Sequence, residues 1–345
     1  MKRIFVFLIF LPVLLSNDFD FTLPEVHADI AVQYESYYGE DDTVIGYVAP
    51  SDKIVVRHAA FHIEGSLGDR VEYSFEAGSA TCMGGGSQIL LMEAIVLYKP
   101  MKYINLGLMK GHIKRGFELE EECTNVLTAE KPKFGKTFSP CHPTGFIVNY
   151  TKMEKGKFGI DAQLGILNGP KGIIDDEHDI NLGLSLHSPC RAFAVGGFYT
   201  NWKEDFNYSG DSDPGYRYGI GIDVNKFNVK LRAEYFAGKG FYSHFEDTES
   251  KDLQMDAFYA QGAYPVLLGN EILHSFEPYL RYQLWDKASN LDQQESTYDY
   301  LTMGIALTMA DTHTKFRIDY EMPISQHKSS SEEASSLIIR LQSGF

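Results

Sequence analysis

Leu301-Thr302-Met303-Gly304-Ile305-Ala306-Leu307-Thr308-Met309, followed shortly by Lys315-Phe316-Arg317-Ile318-Asp319-Tyr320-Glu321-Met322, decides how this chain folds. In the first run Leu301, Met303, Ile305, Leu307 and Met309 share one face, with small or hydroxylated residues between them. In the second, Phe316, Ile318, Tyr320 and Met322 alternate with Lys315, Arg317, Asp319 and Glu321. Successive side chains of a strand point to opposite faces, so the two runs form a hairpin with a period of two. One face is wholly apolar; the other is small or hydroxylated in the first run and charged at every position in the second. A transmembrane barrel needs this all round, with lipid outside and water inside.

The same alternation recurs toward the N-terminus. It runs through Leu337–Leu341, Phe276–Leu284, Leu253–Tyr259, Phe227–Tyr235, Tyr216–Ile222, Phe193–Tyr199 and Ile180–Leu186. Before these come Phe158–Ile166, Phe146–Tyr150, Ile104–Leu108, Leu90–Tyr98, Val71–Ala77 and Phe61–Ile63, and Asp29–Tyr38 supplies the first. With the opening hairpin, the expectation is an all-β transmembrane antiparallel barrel of sixteen strands. In the Leu253–Tyr259 run, Met255, Ala257 and Tyr259 read as the lipid face and Asp256 as the lumen face. Links alternate in length: short ones such as Glu154–Lys155 and Val224–Lys226, long ones such as Gly39–Lys53 and Arg115–Pro143. That is the pattern of short periplasmic turns and long outer loops.

Composition agrees. The aromatic fraction is 13%, no apolar run is long enough for a spanning helix, and mean hydropathy is −0.22. Met1-Lys2-Arg3 and the apolar core Ile4–Leu15 read as a signal peptide over residues 1–16, with cleavage as late as residue 28 after Val26-His27-Ala28. A single barrel domain then occupies 29–345. The net charge of −16 argues against nucleic acid as a partner. Four cysteines in an exported chain permit disulfides.

Several stretches resemble the phosphate-selective porin O/P family. They are Leu91-Met92-Glu93-Ala94-Ile95-Val96-Leu97-Tyr98-Lys99-Pro100, Ile104-Asn105-Leu106-Gly107-Leu108-Met109-Lys110, Leu167-Asn168-Gly169-Pro170 and Asp179-Ile180-Asn181. Leu301-Thr302-Met303-Gly304-Ile305 and Arg317-Ile318-Asp319-Tyr320 resemble that family's last hairpin, and the apolar strand ending in Phe345 resembles the closing strand of bacterial outer-membrane barrels. The resemblance implies a trimeric, sixteen-stranded diffusion channel in the outer membrane. Two departures bear on selectivity: Gly111-His112 follows Lys110 where the family has Pro, and no arginine cluster maps onto its phosphate path.

In such porins the third outer loop folds inward. Here that loop is Arg115–Pro143, with Glu118, Glu120, Glu121 and Glu122 facing Lys131, Lys133 and Lys136 in sequence. These are the constriction candidates, and a field between them would orient dipolar solutes. A solvated loop with no part in permeation is the alternative. Cys123 and Cys141 are expected to be joined; a zinc site fits less well, since His142 is the one nearby imidazole. Cys82 and Cys190 fall at opposite barrel ends and cannot pair.

The lumen face is read as Lys157, Asp161, Lys230, Arg232, Glu234, Asp256, Glu277, Arg281, Lys315, Arg317, Asp319, Glu321 and Arg340. His58 and His62 read as wall residues, and no Gly-x-Ser-x-Gly or His-Glu-x-x-His motif points to catalysis. Asp175–Asp179 reads as a loop tip, with divalent-cation binding as the alternative. No metal or cofactor is expected. The functional expectation is a passive channel for small hydrophilic solutes or ions, weakly cation-preferring because the excess acid lies on the outer links. The alternative is a structural or adhesive barrel with a blocked lumen.

Overall fold

The computed structural model describes residues 24–38, 52–80, 89–121, 126–138, 142–168, 178–202, 215–239, 254–286, 289, 297–310, 314–324 and 335–344. The expected leader and the Asp175–Glu177 part of the acidic loop tip lie outside these residues, as do Glu122, Cys82, Cys123 and Cys141.

The strands are β1 (Glu25–Tyr38), β2 (Lys53–Leu67), β3 (Val71–Ala80), β4 (Leu90–Met101), β5 (Ile104–Lys110), β6 (Thr144–Lys152), β7 (Gly159–Leu167), β8 (Asp179–His187) and β9 (Phe193–Trp202). They continue with β10 (Gly215–Lys226), β11 (Val229–Lys239), β12 (Gln254–Ala263), β13 (Val266–Leu267), β14 (Leu273–Asp286), β15 (Thr297–Met309), β16 (Lys315–Pro323) and β17 (Ser335–Gly344). Each pairs antiparallel with its chain neighbour, and β1 also pairs with β17, from Asp29↔Gly344 to Tyr38↔Ser335. The sheet is therefore closed and has no edge to protect. The two-residue β13 only extends the β14 ladder at the short-turn end, so sixteen strands form the wall. The first strand begins at Glu25, four residues before the domain boundary read from sequence.

Burial is inverted relative to a water-soluble protein. Leu182, Ile220 and Leu341 are 48%, 60% and 51% exposed, whereas Arg281 and Asp319 are 1% exposed. Along β8 the alternation is unbroken: Ile180, Leu182, Leu184 and Leu186 point out, and Asp179, Asn181, Gly183 and Ser185 point in. This is the arrangement of a wall between lipid and a polar interior. The β10–β11 turn is tight: Phe227 and Asn228 both have positive φ, 55° and 59°, as a two-residue hairpin of the primed type requires.

Two expectations are corrected. In β12 the faces are reversed: Met255, Ala257 and Tyr259 are 4%, 1% and 0% exposed and point inward. Asp256 points outward near the outer rim and accepts a hydrogen bond from Tyr235 Oη at 2.9 Å. The cause is an apolar body inside the barrel, which gives inward apolar side chains something other than water to cover. Lys157 does not line the lumen either. It stands on the short β6–β7 link, exposed and ion-paired with Glu154, 2.6 Å between Nζ and Oε2.

Candidate functional site: a loop folded into the lumen

The apolar body is the link between β5 and β6. Leu119, Phe134 and Phe138, the last on the single-turn helix α1 (Gly135–Phe138), pack with Phe198, Phe236, Met255, Ala257 and Tyr259 of the inner wall. The Phe134 and Phe236 ring centroids are 5.4 Å apart, and those of Phe138 and Phe236 5.6 Å. Leu127 packs on Ala263, Tyr279 and Ala306 of a second wall sector.

An irregular segment inside a barrel must find partners for its backbone. Here the wall supplies them. Glu234 accepts the Phe117 and Glu118 N–H groups at 2.6 and 2.9 Å, and also the Tyr259 hydroxyl. Asp319 accepts the Ala129 N–H at 2.8 Å and the Tyr279 hydroxyl. Arg281 donates to Thr128 Oγ1 at 2.6 Å and to the Glu130 carbonyl at 2.8 Å, and Arg317 donates to the Val126 carbonyl at 3.1 Å. Gln283 accepts the Lys133 N–H at 3.0 Å. The loop thus touches strands on several sides of the lumen. It can approach so closely because the wall carries small residues there: Gly183 lies under the Lys114 side chain, leaving no room for a Cβ. Gly116, at φ +102°, sits against the Glu234 carboxylate in a conformation that L side chains rarely adopt.

The wall charges read from sequence are mostly engaged. Asp161 takes Lys114 of the loop, Lys230 pairs with Glu277 at 2.7 Å, and Glu321 meets Lys133 Nζ at 2.8 Å. Arg340 lies 3.0 Å from Glu130 and donates to Gln33 at 2.8 Å. Lys315 lies on the lumen face at the short-turn end, partly buried.

The constriction candidates do not form two opposed rows. Glu118 and Glu121 both bind Arg232, each at 2.8 Å, and Glu120 lies 3.5 Å from Lys114. Lys131 turns back to the Leu119 and Glu121 carbonyls of its own loop, and Lys133 lies 4.0 Å over the Tyr300 ring. The Lys136 side chain falls outside the described residues, as does Glu122. Burial pushes the Glu121 carboxyl up to about 6, with Arg232 opposing and Glu118 adding to the rise. Glu130 goes the other way: burial would raise it, but Arg340 and Arg57 hold it below the usual range.

Sequence reading missed Arg57, Glu130, Lys114 and Gln261. Arg57 is skipped in the β1–β2 ladder, where Ala31↔His58 is followed by Val32↔Val56. This bulge turns Arg57 inward to Glu130 of the loop, and its trace in sequence is the broken alternation at Val55-Val56-Arg57-His58. His58 Nε2 is 2.9 Å from Asp29, and His112 and His142 meet edge-to-face with ring centroids 4.6 Å apart at the two feet of the loop. His62 lies 3.2 Å from Ser74 Oγ and 3.6 Å from Glu76, but the Ser74 hydroxyl donates to Glu93 at 2.9 Å.

No family model and no curated protein sequence matches the chain. Solved structures do. An anion-selective porin from Comamonas acidovorans is 12% identical with a TM-score of 0.66, covering 94% of this chain and 99% of that one. The outer membrane channel DcaP of Acinetobacter baumannii is 10% identical with a TM-score of 0.64, covering 93% and 97%. OmpT, an outer membrane protein of Vibrio cholerae in trimer form, is 10% identical with a TM-score of 0.56, covering 94% and 99%. At these identities the likeness is one of fold: the chain has the porin-type barrel over nearly its whole length.

Proposed function

We propose that the chain is an outer-membrane porin, a passive diffusion channel for small hydrophilic solutes or ions. The observation that carries this is the closed wall, apolar outside and charged inside, narrowed by a loop tied to it through buried carboxylates and arginines. Inward side chains and the loop set size and charge selectivity. Bilayer lipid faces the outer surface, and assembly as a homotrimer is supported by the trimer form of one structural neighbour. The leader over residues 1–16 and a Cys123–Cys141 bond belong to the same proposal.

Weak cation preference fits better than phosphate selectivity. Three inward arginines, Arg281, Arg317 and Arg340, are engaged by the loop's carbonyls and by Glu130. Purified protein in a planar bilayer should give discrete conductance steps, and a KCl gradient a small cation-side reversal potential that shrinks in concentrated salt. Absence of any conductance would favour the blocked structural barrel, which the apolar packing of Phe134 and Phe138 against the wall makes the second reading. A strong anion preference would restore the phosphate-porin reading.

A further inference from the structure

Below the loop, toward the short-turn end, a cavity of about 220 Å³ is lined by Glu121, Leu127, Asp223, Lys230, Arg232 and Gln261, among others. Its charges do not balance. Arg232 is held by Glu118, Glu121 and Asp223, each at 2.8 Å, and Lys230 by Glu277 at 2.7 Å; with Lys315 close to Lys230, Glu277 and Glu121, three cations stand against four carboxylates. Glu121 and Asp223 remain about one-third exposed, so the negative surplus is within reach of a solute.

The acceptors do not balance either. Gln261 is 6% exposed and gives its amide N–H to Glu118 Oε2 at 2.8 Å, yet its Oε1 has no hydrogen-bond partner. Glu118 is fully buried, and its Oε1 is likewise without one. Buried acceptors without donors are costly to maintain unless something supplies the donors. A positively charged donor in the cavity would meet the charge excess and the open Gln261 acceptor, and the room beside Leu127 exceeds what a bare ion needs.

We propose that this cavity is a binding site for a small organic cation carrying a primary ammonium group. The ammonium donates to Gln261 Oε1 and to the Glu121 and Asp223 carboxylates, and a short apolar tail lies on Leu127. As a statement about permeation this rests on the channel reading; as a statement about binding it does not.

Saturation-transfer NMR on the full chain folded in detergent separates the two, with n-propylammonium, propionate and 1-propanol as probes of matched size and different head group. Propylammonium alone should bind. Gln261→Met, which keeps the shape and removes the acceptor, should weaken it several-fold, and Glu121→Gln about tenfold. A gel shift on boiling shows that each variant is folded. In bilayers, propylammonium should add dwell events to the KCl current. Binding of propionate in preference, or equal binding of all three probes, would overturn the site, as would propylammonium binding that ignores both substitutions. Conductance without propylammonium binding would sink the site and leave the channel reading standing. Binding without conductance would do the reverse.

Discussion

Glu121 shows how a side chain on the loop can carry a pH response. Burial raises its carboxyl to about 6, against the pull of Arg232 and with Glu118 and Asp223 adding to the rise. A raised carboxyl pKa means the folded state takes up a proton between the ordinary value and about 6. The charged form is thus disfavoured by folding at neutral pH, and that cost is relieved as pH falls through 6. Between pH 7 and pH 5 the barrel should therefore lose a negative charge beside Arg232 without losing stability on this account. The reversal potential in a KCl gradient should move away from cation preference over that interval in the wild type and stay flat in Glu121→Gln. Glu234 acts differently, as the acceptor for two consecutive loop N–H groups. Glu234→Ala strands both and should destabilise the fold by about 3 kcal/mol, read from denaturant unfolding in detergent. It should also broaden the distribution of conductance levels as the loop loosens.

At the level of elements, the strands were legible and the contacts of the infolded loop were not. A strand between lipid and water states its faces in every second residue, as β8 and β16 do. The rule fails in β12, where Met255, Ala257 and Tyr259 are apolar because they cover Phe134 and Phe138 rather than lipid. Periodicity reports apolarity, not which side it is on, and so it turned Asp256 the wrong way. Lys157 failed for another reason, since the pattern was extended ahead of the start of β7 into a turn. The length and position of the loop pointed to infolding, but its contacts depend on closure of the barrel, which brings Glu130 beside Gln33, Arg57 and Arg340. The Phe134 cluster is the loop's main apolar anchor. Phe134→Ala should cost about 3 kcal/mol, and single-channel conductance should rise as the loop draws back from β9–β12. An unchanged conductance would mean that the polar ties alone position the loop.

The whole molecule is organised by which end each link occupies, and Cys190 makes that testable. It stands on the β8–β9 link, exposed and free, at the end that also holds the short links after β2, β6 and β10. The Ser188 hydroxyl and the Ala192 backbone hold its thiol below the usual range, which favours the reactive thiolate. If the short links face the periplasm, a bulky membrane-impermeant maleimide added to intact cells should not reach it. In a chain whose other three cysteines are replaced by Ser, Cys190 should label fast once the outer membrane is permeabilised, and slowly or not at all before. A cysteine placed on a long link, at Ser209, should label in both conditions. Because strands alternate in direction, a wall of sixteen brings β1 and β17 together antiparallel with both ends of the wall on the Cys190 side, as the Asp29↔Gly344 pair does. Labelling of Cys190 from outside intact cells would therefore reverse the orientation of every turn and loop at once, and the loop now entering the lumen from the outer mouth would have to enter from the periplasm.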